Sequence, residues 1–204
     1  MEDLDRRSFA LDRLRHDIQE FGVDIDPPGW SQFAGHASAI DISAGERIQS
    51  QARISEIWVF LASGIAASEQ TWHDGTSTIT RFFTPGDLCA NFTSVWQKEI
   101  AADDLIAMTD IKGLALPDHI FRREYLHGDA LGLYFRMKAM KTHLLDKELL
   151  CAKTSNRIEL RYRFLEEYQA EVLGAVMQKD IARFLGVTPQ GFSRYLKQKK
   201  SLVS

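Results

Sequence analysis

The segment 178–196 reads QKDIARFLGVTPQGFSRYL, and its residue types and spacing suit the reading of duplex DNA. Two helices that cross steeply through a short turn need a small side chain where they touch, and Ala182 supplies it. The turn needs a residue at ease with positive φ, and Gly186 supplies that. Ile181, Leu185, Val187, Phe192 and Leu196 are then spaced to bury the inner faces. Thr188 stands where a cap for the second helix belongs, with Pro189 at the first helical position. Gln190 and Arg194 lie four apart on the outer face, where an amide matches the edge of adenine and a guanidinium that of guanine. Thr188, Ser193, Lys197, Lys199 and Lys200 suit phosphate, although Ser193 and Tyr195 serve equally well as packing residues. Thr188, Gln190, Gly191, Ser193, Arg194 and Lys197 are therefore the candidate DNA contacts of a helix-turn-helix. An ordinary helical hairpin is the alternative.

Charge supports the DNA reading. Residues 1–152 carry 15 Lys/Arg against 23 Asp/Glu, a net of −8, whereas residues 153–204 carry 10 against 5, a net of +5. A basic tail on an acidic body fits a module that meets a polyanion.

The elements that must position this tail divide into three. Residues 1–117 begin with an amphipathic helix over 2–21, ended by Gly22 and followed by the breaker Asp26-Pro27-Pro28-Gly29. Short apolar runs then follow over 36–116, among them Ile57–Leu61, an alternating Thr76–Phe83, Leu105–Met108 and Gly113–Leu116. Asp74-Gly75 predicts a type I′ hairpin, and Pro85-Gly86-Asp87 another turn. Many short strands with regular turns indicate a sandwich or barrel. Residues 118–152 predict a helix capped by Asp118, interrupted at Gly128 and restarted at Asp129. Leu126, Ala130, Leu133, Met137, Met140 and Leu144 follow heptad spacing, as a dimer seam would; a helix lying on its own core needs the same periodicity. Lys147 and Cys151 occupy the next positions. Residues 153–204 hold the helix-turn-helix.

Several chemistries are excluded by inventory. Cys89 and Cys151 form no CxxC, which argues against a disulfide scaffold, a Cys-rich zinc site or a four-Cys cluster. His36, His73 and His119 lack the clustering that a jelly-roll metalloenzyme needs, so no enzyme is expected. No stretch of 18 apolar residues runs free of charge, and the N-terminus lacks an apolar signal core, so a cytoplasmic protein with no membrane partner is expected.

With these residues in hand, roughly 10–200 of the chain resembles the Crp/Fnr transcription regulators. The likeness rests on IWVFLASG, the Asp-Gly hairpin, RFFTPGDL and QKDIARFLGVTPQGFSRYL. It implies an α+β chain: an N-terminal β jelly roll of the cyclic-nucleotide-binding type, a long dimerisation helix, and a C-terminal all-α helix-turn-helix domain. It also implies double-stranded DNA and a second copy of the chain as partners. RNA polymerase and a small-molecule effector are added as candidates. The effector turn would be Gly86, Asp87, Leu88 and Cys89.

The departures change what the roll can sense. Nucleotide-binding relatives place Gly-Glu and then Arg-Ser/Thr-Ala after that turn, but here the stretch runs CANFTSVWQKEIAADDLIAM. It lacks an arginine and carries Glu99, Asp103 and Asp104. A buried phosphate without a cationic partner is costly, so tight binding of cyclic AMP or GMP is not expected and no cofactor is assigned. His73, beside Asp74-Gly75, reads as a solvated hairpin residue and not as a haem ligand. Phe83, Phe92 and Trp96 suit either a core or a pocket for a small apolar or aromatic molecule. Pro189-Gln190 stands where relatives carry Arg-Glu, so their target sequence is not carried over. A β-hairpin wing is not expected in 170–177 or after Lys200. A second reading is a sensor or interaction protein whose helix pair no longer contacts DNA.

Overall fold

The computed structural model of the protein describes residues 2–125, 130–155 and 157–203. Two helices lead the chain, α1 (Glu2–Glu20) and α2 (Pro27–His36). Gly22, at φ +69°, turns the chain out of α1. The Asp-Pro-Pro-Gly stretch, expected only to break structure, starts α2. The Asp26 side chain accepts from the Gly29 amide, and the proline pair occupies positions that need no donor.

Among the described residues eight strands follow: β1 (Ser38–Ile42), β2 (Arg47–Gln49), β3 (Ile57–Ser63), β4 (Ala66–Thr71), β5 (Ser77–Phe83), β6 (Leu88–Cys89), β7 (Asp104–Ala107) and β8 (Ile111–Pro117). They form two antiparallel four-stranded sheets, ordered β1-β8-β3-β6 and β2-β7-β4-β5. This is consistent with the expected roll. Helix α3 (Phe92–Gln97), capped by Asn91, interrupts the strands. The unbroken apolar run of β3 is explained by burial on both faces. Val59 and Leu61 point between the sheets with Phe83, Cys89 and Leu105, while Trp58, Phe60 and Ala62 meet the leading helices.

One turn and one strand differ from the sequence reading. At the β4–β5 hairpin the Gly75 amide donates to the Trp72 carbonyl (3.0 Å), and the Trp72 amide to the Thr76 carbonyl (2.8 Å). Gly75 has φ +83° and Asp74 stays at negative φ, so the loop is a three-residue turn with a glycine bulge, not type I′. Within β5 the register slips: Ser68 faces Arg81 but Glu69 faces Ile79, which leaves Thr80 as an extra residue. That bulge brings Ile79 and Phe82, three apart, onto one outer face.

Asp118 is the first residue of helix α4 (Asp118–Ile120), not its cap, and a π-helical turn follows at Phe121–Tyr125. Its carboxylate is buried and accepts from Trp58 Nε1 (2.8 Å), Lys98 Nζ (2.5 Å) and Arg122 Nε (2.8 Å). Burial pushes its pKa up, but those three donors outweigh burial and hold it below the usual carboxylate value.

Helix α5 (Ala130–Thr154) is two-faced. Leu131, Tyr134, Phe135 and Lys138 pack under the roll, and Leu149 under the C-terminal helices. Asp17 of α1 accepts from the Tyr134 hydroxyl (2.6 Å) and the Lys138 ammonium (2.9 Å), all three groups buried. Burial, reinforced by the Asp17 charge, pushes the Tyr134 hydroxyl far up.

Among the described residues four helices follow: α6 (Ile158–Tyr168), α7 (Ala170–Ala175), α8 (Gln178–Leu185) and α9 (Pro189–Val203). Their core is shared with the outer face of β4 and β5, where Ala67, Ile79 and Phe82 join Phe164, Leu165, Val172, Phe184 and Phe192. Polar contacts reinforce the joint. Gln169 Nε2 donates to the Phe82 carbonyl (3.0 Å), and Arg183 bridges Glu69 (2.5 Å), Ser77 and Asp180 (3.2 Å).

Lys153 donates to the Thr80 carbonyl (2.6 Å) beneath this joint. Burial, then the charge of Arg161, lowers its pKa from 10.5 to about 8. Between those values the unfolded chain holds a proton that the folded chain has released, so stability rises with pH across that window and the cost is fully present below it. Measured by urea unfolding from pH 7.5 to 10.5, wild type is expected to gain up to about 3 kcal/mol relative to Lys153→Met. A constant gap between the two proteins would show that the ammonium reaches water.

Candidate nucleic-acid interface

The local fold of 178–203 follows from the spacing noted above. Ala182 is fully buried where α8 meets α9. Gly186, at φ +65°, ends α8 with the Val187 amide donating back to the Ala182 carbonyl (3.0 Å), a Schellman closure. A side chain on Gly186 would also collide with Arg161 Nη1, 2.9 Å from where its Cβ would stand. The Thr188 hydroxyl then caps α9, accepting from the Gly191 amide (3.1 Å). Ile181, Leu185 and Phe192 are buried, and Val187 and Leu196 half-buried.

The opposite side of α9 is open. Thr188, Gln190, Ser193, Arg194 and Lys197 are exposed, and Gly191 is half-buried. Pro189, Gln190, Ser193, Arg194 and Lys197 line one shallow groove along the helix. A spacing of three and four keeps Gln190, Ser193, Arg194 and Lys197 on one stripe, so four of the six candidate contacts share one solvent-facing surface. Two residues go elsewhere. Tyr195 leans on Tyr162, with centroids 5.4 Å apart, and serves as support. Lys199 is held by Glu166 and lies 4.3 Å from the centroid of the Tyr162 ring. Helix α7 fills the place before the pair, and the described residues after Pro117 contain no strand.

The seam residues separate. Leu133, Met137, Met140 and Leu144 are exposed along one side of α5, Met140 at 68%. Ala130 instead packs against the core beneath the roll, because the start of α5 turns that side inward. Leu126, with Gly128 and Asp129, lies outside the described residues.

The effector turn also divides. Asp87 accepts from the Thr84 amide (2.8 Å) and stabilises its own turn. Gly86, at φ +94°, sits against the Asp17–Lys138 pair. Cys89 is sealed between the sheets, where burial pushes the thiol far up. Leu88 lines a cavity against α5, and Phe92 and Trp96 line it too. Phe83 does not; it belongs to the roll core.

A second, polar recess lies between the roll and α5. Asp103 accepts there from Ser68 Oγ (2.5 Å) and Thr80 Oγ1 (3.2 Å). Arg81, the last arginine before the long arginine-free stretch, enters the same recess and donates to Asp146 of α5 (2.6 Å). The sequence reading missed this cation because its partner lies 65 residues away and only the fold joins them. The recess thus holds carboxylates beside a guanidinium whose Nη1 is bonded to Asp146 and whose buried Nε has no partner.

Among the described residues no group of His, Cys, Asp or Glu is arranged to hold a metal ion, and no helix is long and apolar enough to cross a membrane. No protein-family model and no curated protein matches the chain. Solved structures do. FixK2 from Bradyrhizobium japonicum aligns with a TM-score of 0.64 at 19% identity, over 81% of this chain and 85% of that one. CLP, the c-di-GMP responsive global regulator of Xanthomonas campestris, gives 0.59 at 14% identity, over 86% and 92%. The regulatory subunit of a cAMP-independent protein kinase A from Trypanosoma brucei gives 0.53 at 17% identity, over 69% of this chain and 48% of that one. The chain therefore spans about half the length of that subunit. These likenesses show the fold: an antiparallel roll with appended helices, shared with FixK2, with CLP and with the kinase regulatory subunit.

Proposed function

We propose that the chain is a homodimeric, sequence-specific DNA-binding regulator of transcription, of Crp/Fnr type and not gated by cyclic nucleotide. The observation that carries this reading is the stripe Gln190, Ser193, Arg194 and Lys197. It is exposed along α9 while the other side of the helix is buried, on the part of the chain with net charge +5. Resemblance to FixK2 and to CLP over more than four-fifths of this chain supports it. In a dimer joined along Leu133, Met137, Met140 and Leu144, two such helices address major grooves about one turn apart, 34–36 Å. Gln190 and Arg194 read base edges; Thr188, Ser193 and Lys197 hold phosphates.

Cyclic nucleotide is not expected to gate the protein, because a phosphate entering the polar recess would face the carboxylates of Asp103 and Asp146 and would have to compete with Asp146 for Arg81.

DNA selected from a random pool by the wild-type protein provides the test. Arg194→Ala is expected to weaken binding by about 1–3 kcal/mol in a gel shift and to relax preference at one base pair. Lys197→Ala is expected to weaken all sequences alike and lower the salt slope by about 1. Selection that enriches no sequence, with no retention on heparin, would leave the chain an interaction module.

A further inference from the structure

We propose that the cavity between α3, the π-helical turn and the first half of α5 binds an uncharged, two-ring aromatic molecule. The cavity measures about 260 Å³. Trp58, Phe92, Trp96, Phe121 and Phe135 form its walls, and Ala139 of α5 borders it. The rings brace one another: Trp58 stacks on Phe121 at 4.6 Å, Phe92 meets Trp58 edge-on at 5.4 Å, and Phe121 meets Phe135 at 4.8 Å. Phe92 and Trp96 remain 38% and 53% exposed, so large apolar surface is left uncovered at the mouth. Aromatic side chains seldom leave so much area in water without a partner.

The class of ligand follows from size and polarity. An apolar cavity of about 150 Å³ accepts benzene, so this one accommodates a second ring. The polar groups nearest the walls are already engaged. Trp58 Nε1 donates to Asp118, the Lys138 ammonium to Asp17, and Arg122 to Asp118 while lying over Trp96. Arg136 is likewise engaged within the chain. Thr142 adds one hydroxyl at the α5 edge. A ligand bearing a full charge would lose its hydration and find no free counter-charge, whereas a neutral ring exchanges water for aromatic faces. This site shares the Phe92 wall with the polar recess at Asp103 but none of that recess's charged groups, and it stands whether or not the protein binds DNA.

The test titrates the full chain with naphthalene, read by saturation-transfer NMR, with naphthalene-2-sulfonate as the charged counterpart. Naphthalene is expected to bind in the micromolar range and the sulfonate at least about tenfold more weakly. Ala139→Trp fills the space from an exposed helix position and is expected to weaken naphthalene at least about tenfold. Trp96→Ala removes a wall at the rim and is expected to weaken it several-fold, with far-UV circular dichroism showing both variants folded. If Ala139→Trp fails to fold, Trp96→Ala decides. The proposal is overturned by absence of saturation transfer, by equal binding of the sulfonate, or by naphthalene affinity unchanged in the folded variants.

Discussion

Replacing Asp17 with leucine is expected to destabilise the protein by about 3–5 kcal/mol, because it strands a buried charge. The Lys138 ammonium donates to Asp17 at 2.9 Å, and its side chain is only 7% exposed. Without the carboxylate the cation must lose its proton or pull α5 away from α1, and the Tyr134 hydroxyl loses its acceptor as well. The pair itself need not stabilise the fold. Apolar groups of like volume often replace buried ion pairs at little cost. Asp17→Leu combined with Lys138→Met and Tyr134→Phe is therefore expected to return to within about 1–2 kcal/mol of wild type. Urea unfolding of the single and triple variants separates the two effects. A single variant costing under about 1 kcal/mol would mean that Lys138 extends to water.

Phe82→Ala is expected to be nearly as damaging, at about 3–5 kcal/mol, and to lower the melting temperature by about 10 °C. Phe82 belongs to a roll strand yet lies 5.0 Å from Phe184, centroid to centroid, inside the core of the C-terminal helices. Its removal opens a cavity shared by both halves of the chain, so roll and helices are expected to melt together at the lower temperature. Scanning fluorimetry beside a circular-dichroism melt measures this. A loss below about 1 kcal/mol would mean that the helices sit away from β5 in solution.

The sequence made some elements plain and hid others for physical reasons. The helix pair at 178–203 was legible because its constraints are local: Ala182, Gly186 and Thr188 each answer a need set by residues within one turn. The strands were legible wherever short apolar runs met turn residues. Helix α2 was hidden because Pro-Pro-Gly serves equally as a breaker and as a helix start, and only the Asp26 cap decides. The six-residue α3 lies within a run of aromatics with no period of its own. Asp74-Gly75 has the composition of a type I′ turn, but the pairing of Trp72 with Thr76 lengthened the loop by one residue. Thr80, extra in β5, broke the two-residue alternation and sent Phe82 to a core outside the roll. For the site, Gln190 and Arg194 could be read from helical spacing, whereas the meeting of Arg81 with Asp146 is made by the fold alone.

Arg183 ties the orientation of the exposed α9 stripe to the roll. Its guanidinium holds Glu69 and Ser77 of the hairpin with one nitrogen and Asp180 of its own helix with another, one turn before Gly186. The rod that follows therefore inherits its aim from the β4–β5 ribbon, like an arm clamped at the elbow. Any swivel to a different docking angle has to unfasten these charged contacts together, and mobile ions in the medium ease that release by screening each of them.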